Sequence, residues 1–384
     1  MDFELNEDQR AFADTAQQFS LERLAPMAAE WDEKQLFPKD VLREAGELGF
    51  LSLYTPEERG GLGLSRLDAS IIFEQLSMGC TSTTAFMTIH NMVSWMVASF
   101  ATEDVRAKYC PKLVTGEWLG SYCLTEPNAG SDAASLSTTA HKKGDTYVLN
   151  GGKAFISGAG ETDVLVVMAR TGEAGAKGVS AFVVPVQADG ISYGRKEPKM
   201  GWNSQPTRAV TFENVVIPAS HLLGEEGQGF IFAMKGLDGG RINIAICSVG
   251  TAQQALNQAT QYMQERKQFG KSLAQFQALQ FKLADMATEL VAARQLVRYA
   301  ASKLDRGDPD ATTYCAMAKR FATDVGFQIC DQALQIYGGY GYIKEYPMER
   351  YFRDVRVHQI LEGTNEIMRL IIARRLLSET SALL

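Results

Sequence analysis

The chain has 384 residues, 46% hydrophobic and 22% charged, an ordinary balance for a soluble globular protein. At that length roughly two to three domains with sizeable cores are expected. A net charge of −7, from 38 basic and 45 acidic side chains, argues against a nucleic-acid binder with its basic stripe. The six cysteines form no CxxC pair and the four histidines no HxxxH or HExxH spacing. Small buried thiols in a reducing compartment are expected, and metal chemistry is not.

The acidic opening Met1-Asp2-Phe3-Glu4 runs straight into a helical pattern, unlike a secretory signal or an Arg-rich transit peptide. No apolar run reaches the ~18 residues that a spanning helix needs. A bacterial cytoplasmic protein, or the mature form of a mitochondrial matrix protein, is therefore expected. Asn6 is placed to cap a helix carrying Phe12, Ala16 and Phe19 on one face, closed by Pro26. Glu57 to Gly63 reads as a loop, and Asp68–Met78 and Thr84–Phe100 as buried helices. Residues 1–118 thus form a predicted helical domain.

Residues 119–225 change character. Tyr147-Val148-Leu149 followed by Asn150-Gly151 reads as a strand entering a hairpin turn. Residues 163–170, 179–186 and 209–216 are β-rich runs, several of them parted by glycine-containing turns. Strands without intervening helices predict a small antiparallel barrel or sandwich. Residues 226–384 return to helix. Leu279, Leu283, Met286, Leu290, Ala293, Val297, Ala300 and Leu304 keep an alternating spacing of four and three, suited to a helix bundle. Gly307-Asp308-Pro309 breaks that seam. A second helix is predicted over Ala311–Tyr337, ended by Gly338-Gly339-Tyr340-Gly341, and a last one after Glu362.

Near the C-terminus, Ile360-Leu361-Glu362-Gly363-Thr364 sets one carboxylate between an apolar run and a glycine. Glycine lets a flat ligand approach, and burial makes a carboxylate a better base near neutral pH. No GxGxxG is present: Gly158-Ala159-Gly160 and Gly339-Tyr340-Gly341 both lack the third glycine. Gly270-Lys271-Ser272 fails as a P-loop, because Glu265 stands where the first glycine belongs. Tyr122 to Asp132 offers backbone N–H groups, two hydroxyls and a glycine bend that suit a polar heterocycle or a phosphate-rich chain.

Taken together, Tyr122-Cys-Leu-Thr-Glu-Pro-Asn-Ala-Gly-Ser-Asp132, Lys153-Ala-Phe-Ile-Ser157, Glu265-Arg-Lys-Gln-Phe-Gly270, Gln335-Ile-Tyr-Gly-Gly339 and Glu362-Gly-Thr-Asn-Glu366 resemble the acyl-CoA dehydrogenases. The resemblance runs over nearly the whole chain with order and spacing kept. It implies an α+β multidomain fold, with an N-terminal helical domain, a central antiparallel β-barrel and a C-terminal four-helix bundle. It implies FAD held by Tyr122, Leu124, Thr125, Gly130, Ser131, Phe155, Ile156 and Ser157. Arg266, Gln268, Phe269, Phe276, Gln277, Gln335, Gly338, Gly339, Thr364, Asn365 and Glu366 are implied as further FAD contacts, Arg266 from a neighbouring subunit. Many relatives carry Trp and Thr where this chain has Phe155 and Ser157. An aromatic face and a short hydroxyl are kept.

On the substrate side the resemblance implies Ser131, Asp238, Gly239, Gly240, Arg241, Leu361, Gly363 and Arg374. Some relatives carry the base directly before the arginine of the Asp238–Asn243 segment. Gly240 occupies that position here, so Glu362 is the base candidate. The implied reaction is removal of an α-proton by Glu362 and of a β-hydride by flavin N5. Gly158-Ala-Gly-Glu161, Gly201-Trp-Asn-Ser-Gln-Pro-Thr-Arg208, Gly239-Gly-Arg-Ile-Asn243 and Arg356-Val-His-Gln-Ile-Leu361 most resemble members acting on isobutyryl-CoA in valine breakdown, and the Gly239-Gly240 pair is read as leaving room beside the base. 2-Methylbutyryl-CoA and butyryl-CoA are the alternatives. Electron-transfer flavoprotein is the implied acceptor and a homotetramer the implied assembly. An oxidase would need a longer C-terminal region, and a non-catalytic acyl-CoA-binding protein would be expected to lack Glu362.

Overall fold

A computed structural model describes residues 4–378. Six helices come first: α1 (Glu7–Phe19), α2 (Ala28–Lys34), α3 (Lys39–Glu47), α4 (Arg66–Gly79), α5 (Thr81–Phe100) and α6 (Glu103–Val114). The Asn6 side chain accepts from the Gln9 backbone N–H at 2.8 Å and Gln9 answers on the Asn6 N–H, a capping box that starts α1. The helix runs on through a π-helical turn, Ser20–Leu24, before Pro26.

Eight strands follow: β1 (Gly120–Cys123), β2 (Thr139–Lys143), β3 (Thr146–Ser157), β4 (Val164–Arg170), β5 (Val179–Pro185), β6 (Ile191–Tyr193), β7 (Thr207–Pro218) and β8 (Leu222–Leu223). They form one sheet in the order β6-β7-β3-β2-β4-β5-β8, with β1 also on β4. The path is open where a closed barrel was expected. Its pairs are antiparallel except β1 with β4 and β2 with β4. The hairpin expected at Asn150-Gly151 is not there. Both residues lie inside β3, at a register shift against β7, and the chain turns instead at Gly144, with φ 57°. Gly151 is required for another reason: a Cβ there would lie 2.6 Å from the Thr138 Cα.

The helical part resumes with α7 (Gly229–Glu265). A two-strand ribbon follows, β9 (Lys267–Gln268) and β10 (Lys271–Ser272), and then α8 (Gln277–Asp305), α9 (Ala311–Tyr337), α10 (Met348–Arg356) and α11 (Asn365–Ser378). On α8 the predicted seam packs inward: Met286, Leu290, Ala293, Val297 and Ala300 are buried, and Leu279, Leu283 and Leu304 flank them. These residues share one core with Phe19, Leu42, Phe73 and Leu76, so the first and last helical regions pack as one body. A second core joins Val93, Met96 and Val97 of α5 to Val164, Val166 and Val183 of the sheet and to Phe232 and Ala233 of α7. A cavity opens where sheet, α5 and α7 meet. All six cysteines are buried and free. Among the described residues no helix is long and apolar enough to cross a membrane.

Candidate functional site

A cavity of about 910 Å³ is walled by three stretches of chain distant in sequence. Tyr122, Leu124, Thr125, Gly130 and Ser131 come from β1 and the loop after it. Phe155, Ile156 and Ser157 come from the end of β3, and Leu361, Glu362, Gly363 and Thr364 from the loop between α10 and α11. Arg241 of α7 completes the predicted set. The fold therefore brings thirteen of the expected residues to one space.

The first wall rests on a buried ion pair. Lys153 Nζ lies 2.8 Å from Glu126 Oε1, with side-chain exposures of 0% and 4%. Lys153 also donates to the Leu124 carbonyl at 3.1 Å, and Glu126 accepts from the Ser137 and Thr138 backbone N–H groups. Thus β3 grips the Leu124–Glu126 turn from behind. Burial pushes the Glu126 carboxyl up, but the Lys153 charge and the hydrogen bonds outweigh it and hold the group at about 2. A carboxyl depressed in the fold contributes stability that is full above its unfolded pKa and is lost as pH falls through about 2. Lys153→Met strands Glu126 without its charge partner and should cost ~3–5 kcal/mol of unfolding free energy, read by chemical denaturation.

Phe155 sits at the cavity with φ 58° and 68% of its surface exposed, a strained backbone presenting an unpacked ring. Gly130 has open space where a Cβ would stand, so the protein's own packing does not require a glycine there. The Tyr122 hydroxyl and Glu362 Oε2 are buried polar atoms without a hydrogen-bond partner. Both residues belong to the cavity wall, where they are open to the polar groups of a ligand.

Glu362 and Gly363 are consecutive left-handed residues, φ 55° and 88°, which turn the chain sharply between α10 and α11. A Cβ on Gly240 would lie 2.4 Å from Glu362 Oε2 and 2.8 Å from its Cδ. Position 240 and the Glu362 carboxylate therefore compete for one volume. This corrects the expectation of free room beside the base. The Gly240 space is filled by Glu362, and the Gly239 space by Arg66, whose Nη1 would lie 2.4 Å from a Cβ there. Burial raises the Glu362 carboxyl to about 7, against the opposing charges of Arg241 and Lys319. Such a group is poised as a base near neutral pH.

Other expected residues lie elsewhere. Arg266, Gln268, Gly338 and Gly339 line a second, shallower pocket with Tyr262, Tyr337 and Tyr340. Phe269, at the ribbon turn, is 92% exposed, with the Phe276 ring 6.3 Å away. Gln277, Gln335, Glu366 and Arg374 are exposed and line neither pocket. Asp238 is turned to Arg241 and Thr312. Asn365 is buried and bonded to Lys319, Thr323 and Asp324.

Several wall residues were not anticipated. Ile89 and Met92 of α5, Phe230, Met234, Leu237 and Ile244 of α7, and Ile367 and Ile371 of α11 give the cavity its apolar lining. Buried helices that are apolar all round carry no periodic sign of which face meets a cavity. Trp202 also faces the cavity, at φ 56°, with its N–H on Asp354 at 2.7 Å and its indole on His358 at 3.3 Å. Among the described residues no cluster of three or more His, Cys, Asp or Glu could hold a metal.

Comparison with known proteins agrees along the whole chain. Family models described as acyl-CoA dehydrogenase N-terminal, middle and C-terminal domains match residues 6–117, 121–215 and 227–377. The mitochondrial isobutyryl-CoA dehydrogenase of Bos taurus is 56% identical over 375 residues, covering 98% of this chain and 90% of its own. That of Dictyostelium discoideum is 55% identical over 373 residues, covering 97% and 90%. The butyryl-CoA dehydrogenase structure from Megasphaera elsdenii superposes with a TM-score of 0.95 at 40% identity, covering 98% of this chain and all of that one.

Proposed function

The chain belongs to the acyl-CoA dehydrogenase family, and we propose that it desaturates a short branched acyl-CoA, isobutyryl-CoA foremost, with Glu362 as the base. The observation that carries this reading is the Glu362 carboxylate, bent into an apolar cavity with one oxygen unpartnered.

The wall fits a flavin: hydroxyls at Thr125, Ser131 and Ser157, the open cradle at Gly130, the bare Phe155 ring and the unpartnered Tyr122 hydroxyl. FAD held by these residues would supply the acceptor for the hydride lost from the β-carbon. Glu362 removes the α-proton. Its backbone N–H is available to the thioester carbonyl, whose growing negative charge it stabilises. Leu361, Ile360, Ile367 and Leu237 exclude water around the acyl group, which keeps the carboxyl weakly acidic until the proton arrives.

Because the apolar wall discriminates one methylene by only ~1–3 kcal/mol, 2-methylbutyryl-CoA and butyryl-CoA should also react. Comparison of kcat/KM for the three thioesters should rank isobutyryl-CoA first. A clear preference for butyryl-CoA would move the enzyme to the straight-chain class. The rate should rise with pH through about 7, as Glu362 loses its proton. A flat profile from pH 6 to 8 would remove that ionisation from the rate.

The same reading assigns electron-transfer flavoprotein as acceptor and a homotetramer as the assembly. The exposed Phe269 and Tyr342, 92% and 81% accessible near the Arg266 pocket, support a covered surface there. Sedimentation of the purified protein tests it, a monomer being the contrary result.

A further inference from the structure

The interior of α9 holds a lysine with no exposed surface, Lys319. Burying an ammonium is unfavourable unless it is paired or hydrogen-bonded. No carboxylate among the described residues forms an ion pair with it. Its Nζ donates instead to the Gly363 carbonyl at 2.7 Å and to Asn365 Oδ1 at 2.9 Å. Both acceptors flank the turn that carries Glu362.

The orientation of Asn365 is fixed from its other end. Its Nδ2 donates to Asp324 Oδ1 at 2.7 Å and to Thr323 Oγ1 at 3.0 Å, which leaves the amide oxygen for Lys319. Gln359, upstream of the turn, donates to the same Asp324 oxygen at 2.8 Å. The segment from 359 to 365 is thus stitched to one face of α9, with the lysine at its centre. The stitching matters because Glu362 is a non-glycine residue at φ 55° followed by Gly363 at φ 88°. Such a backbone persists only where the surroundings hold it.

We propose that Lys319 is the positioning residue of the catalytic base: its ammonium clamps the Gly363 carbonyl and the Asn365 amide, fixes the left-handed turn that points Glu362 into the cavity, and sets the charge against which that carboxylate ionises. The inference rests on Glu362 being the base. The charges facing Glu362 are Arg241 from α7 and Lys319 from α9, and the phenols Tyr54 and Tyr122 feel its charge. Those facing Lys319 are Glu362, Arg241, Asp324 and Glu366, with His358 nearby. Burial lowers the lysine to about 7, and Glu362 works against that shift. Each charge therefore favours the ionised form of the other. The lysine charge favours the ionised carboxylate, so its removal moves the acid limb of the rate to higher pH.

Lys319→Gln keeps a short donor and discards the charge, and Lys319→Met discards both. The tests are an infrared titration of the Glu362 carboxyl, with Glu362→Gln as the subtraction, and the pH dependence of kcat and KM. For Lys319→Gln the Glu362 pKa should rise, with the acid limb following to higher pH and KM nearly unchanged. For Lys319→Met kcat should fall further, by ~10²-fold, because the turn loses its clamp. A wild-type Glu362 titration and acid limb in a folded variant, with loss confined to melting temperature, would overturn the proposal and leave Lys319 a stability residue.

Should neither variant fold, the coupling is read from the other side. The Lys319 ammonium, followed by nitrogen NMR, should lose its proton at lower pH in Glu362→Gln than in the wild type. An unchanged value overturns the proposal. Failure of Glu362 as base shows separately, as flavin reduction surviving in Glu362→Gln.

Discussion

Glu362→Gln should bind FAD and isobutyryl-CoA with near wild-type affinity and yet lose flavin reduction by at least ~10²-fold, and up to ~10⁴-fold, the usual worth of a positioned general base. Glutamine keeps the volume that Gly240 and the cavity leave for this side chain, so the turn at positions 362 and 363 need not move. It cannot accept the α-proton. The fold should not suffer. Burial pushes the carboxyl up to about 7, so the ionised form is the one that strains the folded state. For a carboxyl raised in the fold, stability is lost as pH climbs above its unfolded value, and glutamine removes that loss. The variant should melt at or above the wild-type temperature at pH 8. Anaerobic stopped-flow of the flavin-loaded protein checks the rate. Wild-type reduction in the variant would take the role from Glu362.

Gly240→Ala should be nearly as damaging by a route that leaves every catalytic group chemically intact. The new methyl would stand 2.4 Å from Glu362 Oε2, 2.8 Å from Cδ and 3.2 Å from Oε1. No carbon and oxygen rest so close, so the carboxylate must swing away. A misplacement of about an ångström at a reacting group costs on the order of 10²-fold in kcat/KM. Helix α7 itself should tolerate the change, since alanine is a better helix former than glycine by ~1 kcal/mol. The expected pattern is an unchanged or higher melting temperature with kcat/KM down ~10²-fold. Activity within two-fold of wild type would mean that the Glu362 side chain has another resting place.

Much of this is legible in the sequence. Helix α9 begins and ends where Pro309 and Gly338 bracket it, and the α8 seam points inward as its spacing implies. The three motif segments around Tyr122, Phe155 and Glu362 meet at one cavity. What stayed hidden depends on tertiary partners. Asn150-Gly151 has turn chemistry, yet β7 runs alongside and absorbs it as a bulge in β3. Gly239 and Gly240 read as empty room, because a sequence does not say that Arg66 and Glu362 arrive from elsewhere to fill it. Nothing in the local sequence singles out Lys319 as a buried charge. Its burial follows from α7 and the 359–365 turn closing over α9. Ile89 and Met92 lie on a helix buried nearly all round, so no periodic pattern separates the cavity face from the core.

The most direct test is an anaerobic titration of the purified, FAD-loaded protein with isobutyryl-CoA, followed by the flavin absorbance. Prompt bleaching is expected, reaching completion at about one equivalent when product is drained, and faster than with butyryl-CoA or 2-methylbutyryl-CoA. A flavin that stays oxidised with all three thioesters would contradict the assignment of Glu362 and its cavity to acyl-CoA dehydrogenation.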